Sequence, residues 1–135
     1  MALLDWSLSL SVDVPEMDEQ HKKLFRLVND LNEAMKQGRT REEMVRVFDE
    51  LARYTQTHFA SEERFLASIG YPQLTQHKKE HAELMGQVAA FKADYDAGKA
   101  MISIKLLGFL RDWVCTHIQK SDSQYGAWVR EDVGV

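Results

Sequence analysis

The chain of 135 residues is long enough for one ordinary domain, and its 44% hydrophobic and 28% charged residues are typical of a folded globular protein. A formal net charge of −4, with basic residues scattered among acidic ones, argues against a nucleic-acid partner. No run approaches the ~20 apolar residues of a membrane-spanning helix, so we expect no membrane insertion.

The cellular location is predicted from the N-terminal segment and the cysteine content. The first residues lack a positively charged stretch, and Asp5 interrupts their apolar run, so we expect no signal peptide. The single cysteine, Cys115, cannot form an internal disulfide and fits a reducing compartment. These features favour a cytoplasmic protein.

The first predicted helix covers residues 15–37 and follows an irregular N-terminal arm, residues 1–14. Pro15 suits a first helical turn, and Gly38 suits the end of the helix. The inward residues recur at alternating spacings of four and three, which indicates a helix with one buried face. This stripe consists of Met17, His21, Leu24, Val28, Leu31 and Met35.

The second and third predicted helices cover residues 41–69 and 74–97. Thr40 and Glu43 form a capping box at the start of the second helix. Its stripe consists of Met44, Phe48, Leu51, Thr55, His58, Glu62, Phe65 and Ile69. The stripe of the third helix consists of His77, His81, Leu84, Val88, Phe91 and Tyr95.

The fourth predicted helix covers residues 103–129, and Ser103 is a candidate cap. Its stripe consists of Leu106, Leu110, Trp113 and His117. Four long helices with short connections predict an all-α fold, an up-down-up-down four-helix bundle in a single domain, residues 1–135.

All five histidines of the chain, and Glu62, fall on the inward stripes, where apolar residues stand elsewhere. Burying one unpaired polar group costs ~1–3 kcal/mol, so six cost about as much as the ~5–15 kcal/mol stability of a domain. Metal coordination between facing helices offsets such a cost. The alternative for any single histidine is a hydrogen-bonded core residue, but five together favour a metal site.

Asp122 fits this pattern less simply. It follows His117 by five residues, which places it ~140° further around an ideal α-helix. To point inward it needs a locally widened turn, such as a π-bulge. The spacing alone leaves open whether Asp122 is buried or exposed to solvent.

Four motifs in this order resemble the hemerythrin family, and the resemblance covers nearly the whole chain. They are D-E-Q-H-K-x-L-F through His21, H-F-x-x-E-E from His58 to Glu63, H-K-x-E-H from His77 to His81, and W-x-x-x-H-I-x-x-x-D from Trp113 to Asp122. The H-F-x-x-E-E form and the short arm are similar to the bacterial branch of the family.

The resemblance implies two iron ions bridged by an oxo or hydroxo group, Glu62 and Asp122. It implies that one iron is held by His77, His81 and His117, and the other by His21 and His58. The first iron then has six ligands and the second five. Dioxygen is implied to bind end-on, as a hydroperoxide, at the five-coordinate iron.

The walls of an oxygen pocket are expected around the last of these histidines. Trp113, Val114 and Ile118 flank His117, and Phe25 and Phe59 are candidates from the other helices. Ordinary core packing explains the same residues. Val114 departs from the family, in which leucine commonly follows the tryptophan, so its smaller side chain is expected to widen the pocket or admit water.

By this resemblance we expect reversible dioxygen binding, for transport or storage, rather than an enzyme. An enzyme that reduces peroxide or nitric oxide at the same centre is an alternative, but no separate acid–base pair is recognisable. A di-iron oxygen or redox sensor is the other alternative, although we expect no output domain. The expected partner is dioxygen, with an oxygen-using enzyme as a further candidate, and we expect a monomer.

Overall fold

The computed structural model describes residues 3–99 and 101–132, and within them all regular structure is helical. After a short 3-10 turn, Leu8–Leu10, the helices are α1 Pro15–Lys36, α2 Arg41–Ser68, α3 Leu74–Asp96, α4 Ile104–Thr116 and α5 Ser123–Asp132. A π-helical segment, His117–Asp122, joins α4 directly to α5, so these three elements form the fourth helix of a bundle. The predicted all-α four-helix bundle is confirmed. Residues 1, 2, 100 and 133–135 of the predicted domain lie outside the described residues.

The helix ends follow from local chemistry. The Thr40 side chain accepts a hydrogen bond from the Glu43 backbone N–H (3.2 Å), and Ser103 caps α4 in the same way. Gly70, just beyond α2, has a positive φ of 68°, a conformation that glycine adopts without steric cost. The connections between the helices are therefore short. In the bundle, α1 packs against both α2 and α4, and α2 packs against α3.

Two apolar clusters occupy the interior, one on each side of a polar layer. The large cluster consists of Leu4, Leu10, Leu24, Phe25, Leu27, Val28, Leu31, Phe48, Leu51, Leu107, Leu110, Val114 and Ile118. The small cluster consists of Val12, Met17, Leu66, Tyr71 and Tyr125. Along α1, His21 lies between Met17 of the small cluster and Leu24 of the large one.

The N-terminal arm closes the end of the bundle formed by the small cluster. Val12 is fully buried, and its backbone N–H donates to Asp18 at the start of α1 (2.9 Å). On α5, Gly126 has no side chain, which allows Val12 to approach closely: a Cβ at this position would lie 3.0 Å from the Val12 Cα. Arm, α1 and α5 are thereby held together over the polar layer.

None of the helices in the described parts of the chain combines the length and the apolar character that a membrane-spanning segment requires.

Candidate metal centre

The polar layer brings together all seven residues that the sequence predicted as ligands. Each has at most 5% of its surface exposed. α1 contributes His21, α2 contributes His58 and Glu62, α3 contributes His77 and His81, and the π-helical segment contributes His117 and Asp122. Four separate stretches of the chain thus converge on one buried point.

The π-helical segment explains how Asp122 reaches this point. In a π-helix the backbone N–H bonds to the carbonyl five residues earlier, so residues five apart share a face. His117 and Asp122 are the two ends of the six-residue π segment, and both side chains are buried. The locally widened turn that the spacing required is present.

The Glu62 carboxylate lies between two groups of imidazoles. Its Oε1 is 2.7 Å from the Nε2 of His77 and 3.1 Å from the Nε2 of His81. Its Oε2 is 3.2 Å from the Nε2 of His21 and 3.4 Å from that of His58. One oxygen therefore faces each group.

Asp122 divides its oxygens in the same way. Its Oδ1 is 3.0 Å from the Nε2 of His77 and 3.1 Å from that of His117, whereas its Oδ2 is 3.1 Å from the Nε2 of His21. The site thus has a three-histidine group, His77, His81 and His117, and a two-histidine group, His21 and His58, with both carboxylates between them. Four residues of the three-histidine side and three of the two-histidine side have ligand atoms close enough to hold one ion each.

The donor atoms of this cluster fit cations better than they fit one another. The Nδ1–H groups of His58, His81 and His117 donate outward to oxygen acceptors, which directs the Nε2 of each ring toward the centre of the cluster. The Nε2 atoms of His81 and His117 are only 3.1 Å apart. Among the described residues, neither oxygen of Asp122 has a partner with hydrogen-bond geometry. Inward-facing imidazole nitrogens and carboxylate oxygens that outnumber the donors among them are an arrangement that a metal ion completes.

In the metal-free protein, bound protons supply the positive charge that a metal ion would otherwise bring to the cluster. Burial alone would lower the pKa of His21 and His77, but the contacts with Asp122 and Glu62 raise the pKa of both to about 10. Burial alone would raise the pKa of Glu62 and Asp122, but the surrounding imidazoles hold both well below the usual carboxyl range. Metal binding must therefore displace protons from the imidazoles.

Four further side chains hold the cluster from outside, and the sequence did not show where they point. Gln20 accepts from the Nδ1–H of His58 (2.6 Å), Glu63 from that of His81 (2.9 Å), and Glu80 from that of His117 (3.1 Å). The Tyr125 hydroxyl donates to the Oε2 of Glu62 (2.9 Å), and burial raises the pKa of this tyrosine, so it keeps its proton. In the sequence, Tyr125 follows the fourth motif of the family resemblance, three residues after Asp122, a spacing that favours the same helix face.

A small apolar cavity of about 10 Å³ adjoins the cluster. Four of the predicted pocket residues, Phe59, Trp113, Val114 and Ile118, line it, whereas the fifth, Phe25, lies in the large apolar cluster and does not. The cavity wall also includes Leu24, Thr55 and Leu84, which the sequence analysis had assigned only to the core stripes.

Two aromatic rings support the imidazoles beside this cavity. Phe59 stacks on His81 with ring centroids 3.7 Å apart, and Trp113 stacks on His117 at 4.5 Å. These contacts limit the rotation of both rings and cover them with apolar surface.

Comparison with known proteins gives a consistent result. The family model described as the hemerythrin HHE cation binding domain matches residues 12–129. Bacteriohemerythrin of Methylococcus capsulatus is 36% identical over 127 residues, 93% of this chain and 96% of that protein. Bacteriohemerythrin of Pseudomonas aeruginosa is 32% identical over 133 residues, 98% of this chain and 86% of that protein. The crystal structure of a wild-type hemerythrin is similar with a TM-score of 0.89 at 35% identity, covering 93% of this chain and 97% of that one.

Proposed function

This chain belongs to the hemerythrin family, and we propose that it binds dioxygen reversibly at a centre of two iron ions, as an oxygen carrier or store. The observation that carries the proposal is the division of two carboxylates between two groups of imidazoles. Glu62 and Asp122 each direct one oxygen to the three-histidine group and the other to the two-histidine group. A site for a single ion would not need this arrangement.

The distances to Glu62 and Asp122 assign the proposed ligands to two iron ions. His77, His81 and His117 would hold one iron, and His21 and His58 the other, with Glu62 and Asp122 shared. Three imidazole nitrogens and two carboxylate oxygens give five protein ligands on one side, and two of each give four on the other. The two-histidine side therefore leaves more room for an exogenous ligand.

The donor set suits divalent iron. Imidazole is a ligand that iron accepts readily, and five neutral rings with two carboxylates offset only part of the charge of two ferrous ions. Ferrous ions supply the electrons by which dioxygen is bound. More anionic sites in similar bundles, with four carboxylates, favour higher oxidation states. The histidine-rich set of this chain is suited to return the oxygen unchanged.

The surrounding side chains exclude water and protons from the site. The cavity of about 10 Å³ is at the lower limit of the space that one water molecule needs, and Phe59, Trp113, Val114 and Ile118 provide mostly apolar walls. A dry pocket disfavours the proton-assisted loss of reduced oxygen species. The side chains therefore protect a reversible complex.

The buried ionisable side chains bear on whether the chain acts on an organic substrate. Every buried ionisable side chain in the described part of the chain belongs to the ligand cluster, apart from the Tyr71, Tyr95 and Tyr125 phenols. General acid–base catalysis needs a proton donor or acceptor that is free to act on the substrate. This distribution supports a binding protein over an enzyme.

Visible absorption of the iron-loaded protein under oxygen and under argon tests the proposed function. We expect a band that appears with oxygen and disappears when oxygen is removed, over repeated cycles. Asp122→Ala should abolish it, whereas Glu83→Gln, at an exposed position of α3, should not change it. Continuous consumption of oxygen, or no spectral change, would contradict a carrier.

A further inference from the structure

The outer hydrogen bonds of the three-histidine group end on carboxylates. The Nδ1–H of His81 donates to Glu63 (2.9 Å), and the Nδ1–H of His117 donates to Glu80 (3.1 Å). The Ser121 hydroxyl also donates to Glu80 and fixes this carboxylate in place. Two of the three rings in this group therefore carry a charge-assisted hydrogen bond on their outer nitrogen.

The outer contacts of the two-histidine group are neutral. The Nδ1–H of His58 donates to the amide oxygen of Gln20 (2.6 Å), and Gln20 is oriented by its own bond to Ser61 (3.2 Å). The Nδ1 of His21 is buried and has no hydrogen-bond partner in the described part of the chain. Within residues 3–99 and 101–132, no carboxylate accepts a hydrogen bond from the outer nitrogen of either ring.

The Tyr125 hydroxyl adds to this difference. It donates to the Oε2 of Glu62, which is the oxygen that faces His21 and His58. A hydrogen bond to a carboxylate oxygen withdraws electron density from it, so the shared ligand is weakened on the two-histidine side.

The physical consequence is a difference in ligand basicity. A carboxylate that accepts the outer N–H of an imidazole makes the inner nitrogen a stronger donor, and a neutral acceptor does so less. We propose that these outer contacts make the two metal positions unequal, so that the three-histidine position binds a divalent cation more tightly and fills first. This inference rests on the two-metal site of the proposed function but not on its oxygen chemistry.

Titration of the metal-free protein with Zn²⁺ tests the order of filling. Zn²⁺ is redox-inert and diamagnetic, so calorimetry gives the affinities while nitrogen-15 NMR of the imidazoles identifies the ligands. We expect two resolved binding steps. The first equivalent should shift the ring nitrogens of His77, His81 and His117, and the second those of His21 and His58. Equal affinities, or a first equivalent on His21 and His58, would overturn the inference.

Substitutions outside the ligand set distinguish two causes of unequal affinity: the outer hydrogen bonds and the different number of ligands at the two positions. Glu80→Gln should weaken the first step about 10-fold and leave the second unchanged, because it removes only the outer charge at His117. Gln20→Glu should strengthen the second step by placing a carboxylate behind His58. Glu83→Gln, exposed on the same helix as Glu80, is the matched control and should change neither step.

The outcomes also distinguish this inference from the proposed function. If Glu80→Gln and Glu83→Gln titrate alike while both remain folded by circular dichroism, the outer contacts do not set the order, and Glu63→Gln provides a second check at His81. Stepwise filling in a protein that binds no oxygen would support the inference and reject the carrier. Equal filling of the two positions in a protein that binds oxygen would reject the inference and support the carrier.

Discussion

Val114 stands beside the candidate oxygen pocket at a position where the resemblance to the hemerythrin family leads us to expect leucine. Its side chain lines the cavity next to His58 and His117 and is 7% exposed. A valine leaves space that a leucine, one methylene longer, would fill. We therefore expect the size of the Val114 side chain to influence the access of water to this cavity.

Val114→Leu is expected to slow the spontaneous oxidation of the iron-loaded protein. The extra methylene fills the cavity wall and reduces entry of water, which promotes irreversible oxidation. The measurement is the decay rate of the oxygenated absorption in the variant and the wild type. An equal or faster decay in Val114→Leu would show that this side chain does not limit access.

The metal-free protein is expected to lose stability as the pH rises from 7 to 10. His21 and His77 have pKa values of about 10 in the folded chain, raised from an ordinary value of 6.5 because the contacts with Asp122 and Glu62 outweigh burial. Their protonation stabilises the fold fully below pH 6.5, and this contribution disappears as the pH approaches 10. Glu62 and Asp122 act in the opposite sense, because their lowered pKa values remove stability only in acid.

Thermal unfolding of the metal-free and iron-loaded forms between pH 7 and 10 measures this effect. The unfolding midpoint of the metal-free form should fall across the range, whereas the loaded form, in which metal has replaced the protons, should change much less. A metal-free midpoint that is constant or rises with pH would be inconsistent with protonated imidazoles in the cluster.

At the scale of the secondary-structure elements, the N-terminal arm and α5 make a close contact at Gly126. Gly126 on α5 faces the backbone of Val12, and a Cβ would lie 3.0 Å from its Cα and 3.1 Å from its carbonyl oxygen. Neither backbone atom can move as a flexible side chain would. The absence of a side chain at this point of α5 therefore allows the arm to lie close against the helix.

Gly126→Ala is expected to destabilise the protein by up to ~2 kcal/mol, because an overpacking cost of ~1–3 kcal/mol is offset in part by the ~1 kcal/mol by which alanine is favoured in a helix. Gly86→Ala is the control, since its Cβ would meet nothing within 4 Å on α3, and it should be neutral or stabilising. Urea unfolding gives both values. Two variants with the same stability would mean that the arm yields to the extra methyl group.

The helices and the inward faces could be predicted from the sequence, but the join within the fourth helix could not. Alternating steps of four and three residues place His21 and His58 on buried stripes without any knowledge of tertiary structure. Asp122 breaks that spacing, and only the π-helical segment turns it inward. Steps of three and four residues describe an α-helix, so the spacing alone could not decide whether a π turn is present.

At the scale of the whole molecule, the site is a polar layer between two apolar clusters. The stripe predicted which residues lie in this layer, because burial depends on the face of a helix. It did not predict that Gln20, Glu63 and Glu80 support particular imidazoles, since these contacts depend on how the helices are arranged around each other. The same reason applies to Phe25, a predicted pocket residue: its helix face is buried, but its side chain packs in the large cluster and is not part of the cavity wall.

The central claim is that one chain holds two metal ions between its imidazoles and carboxylates. Elemental analysis of iron-loaded protein, with the chain concentration from amino-acid analysis, tests it most directly. We expect two iron atoms per chain in the wild type and in Glu83→Gln, and fewer than two in Asp122→Ala. A wild-type protein that retains one iron or none would contradict the claim.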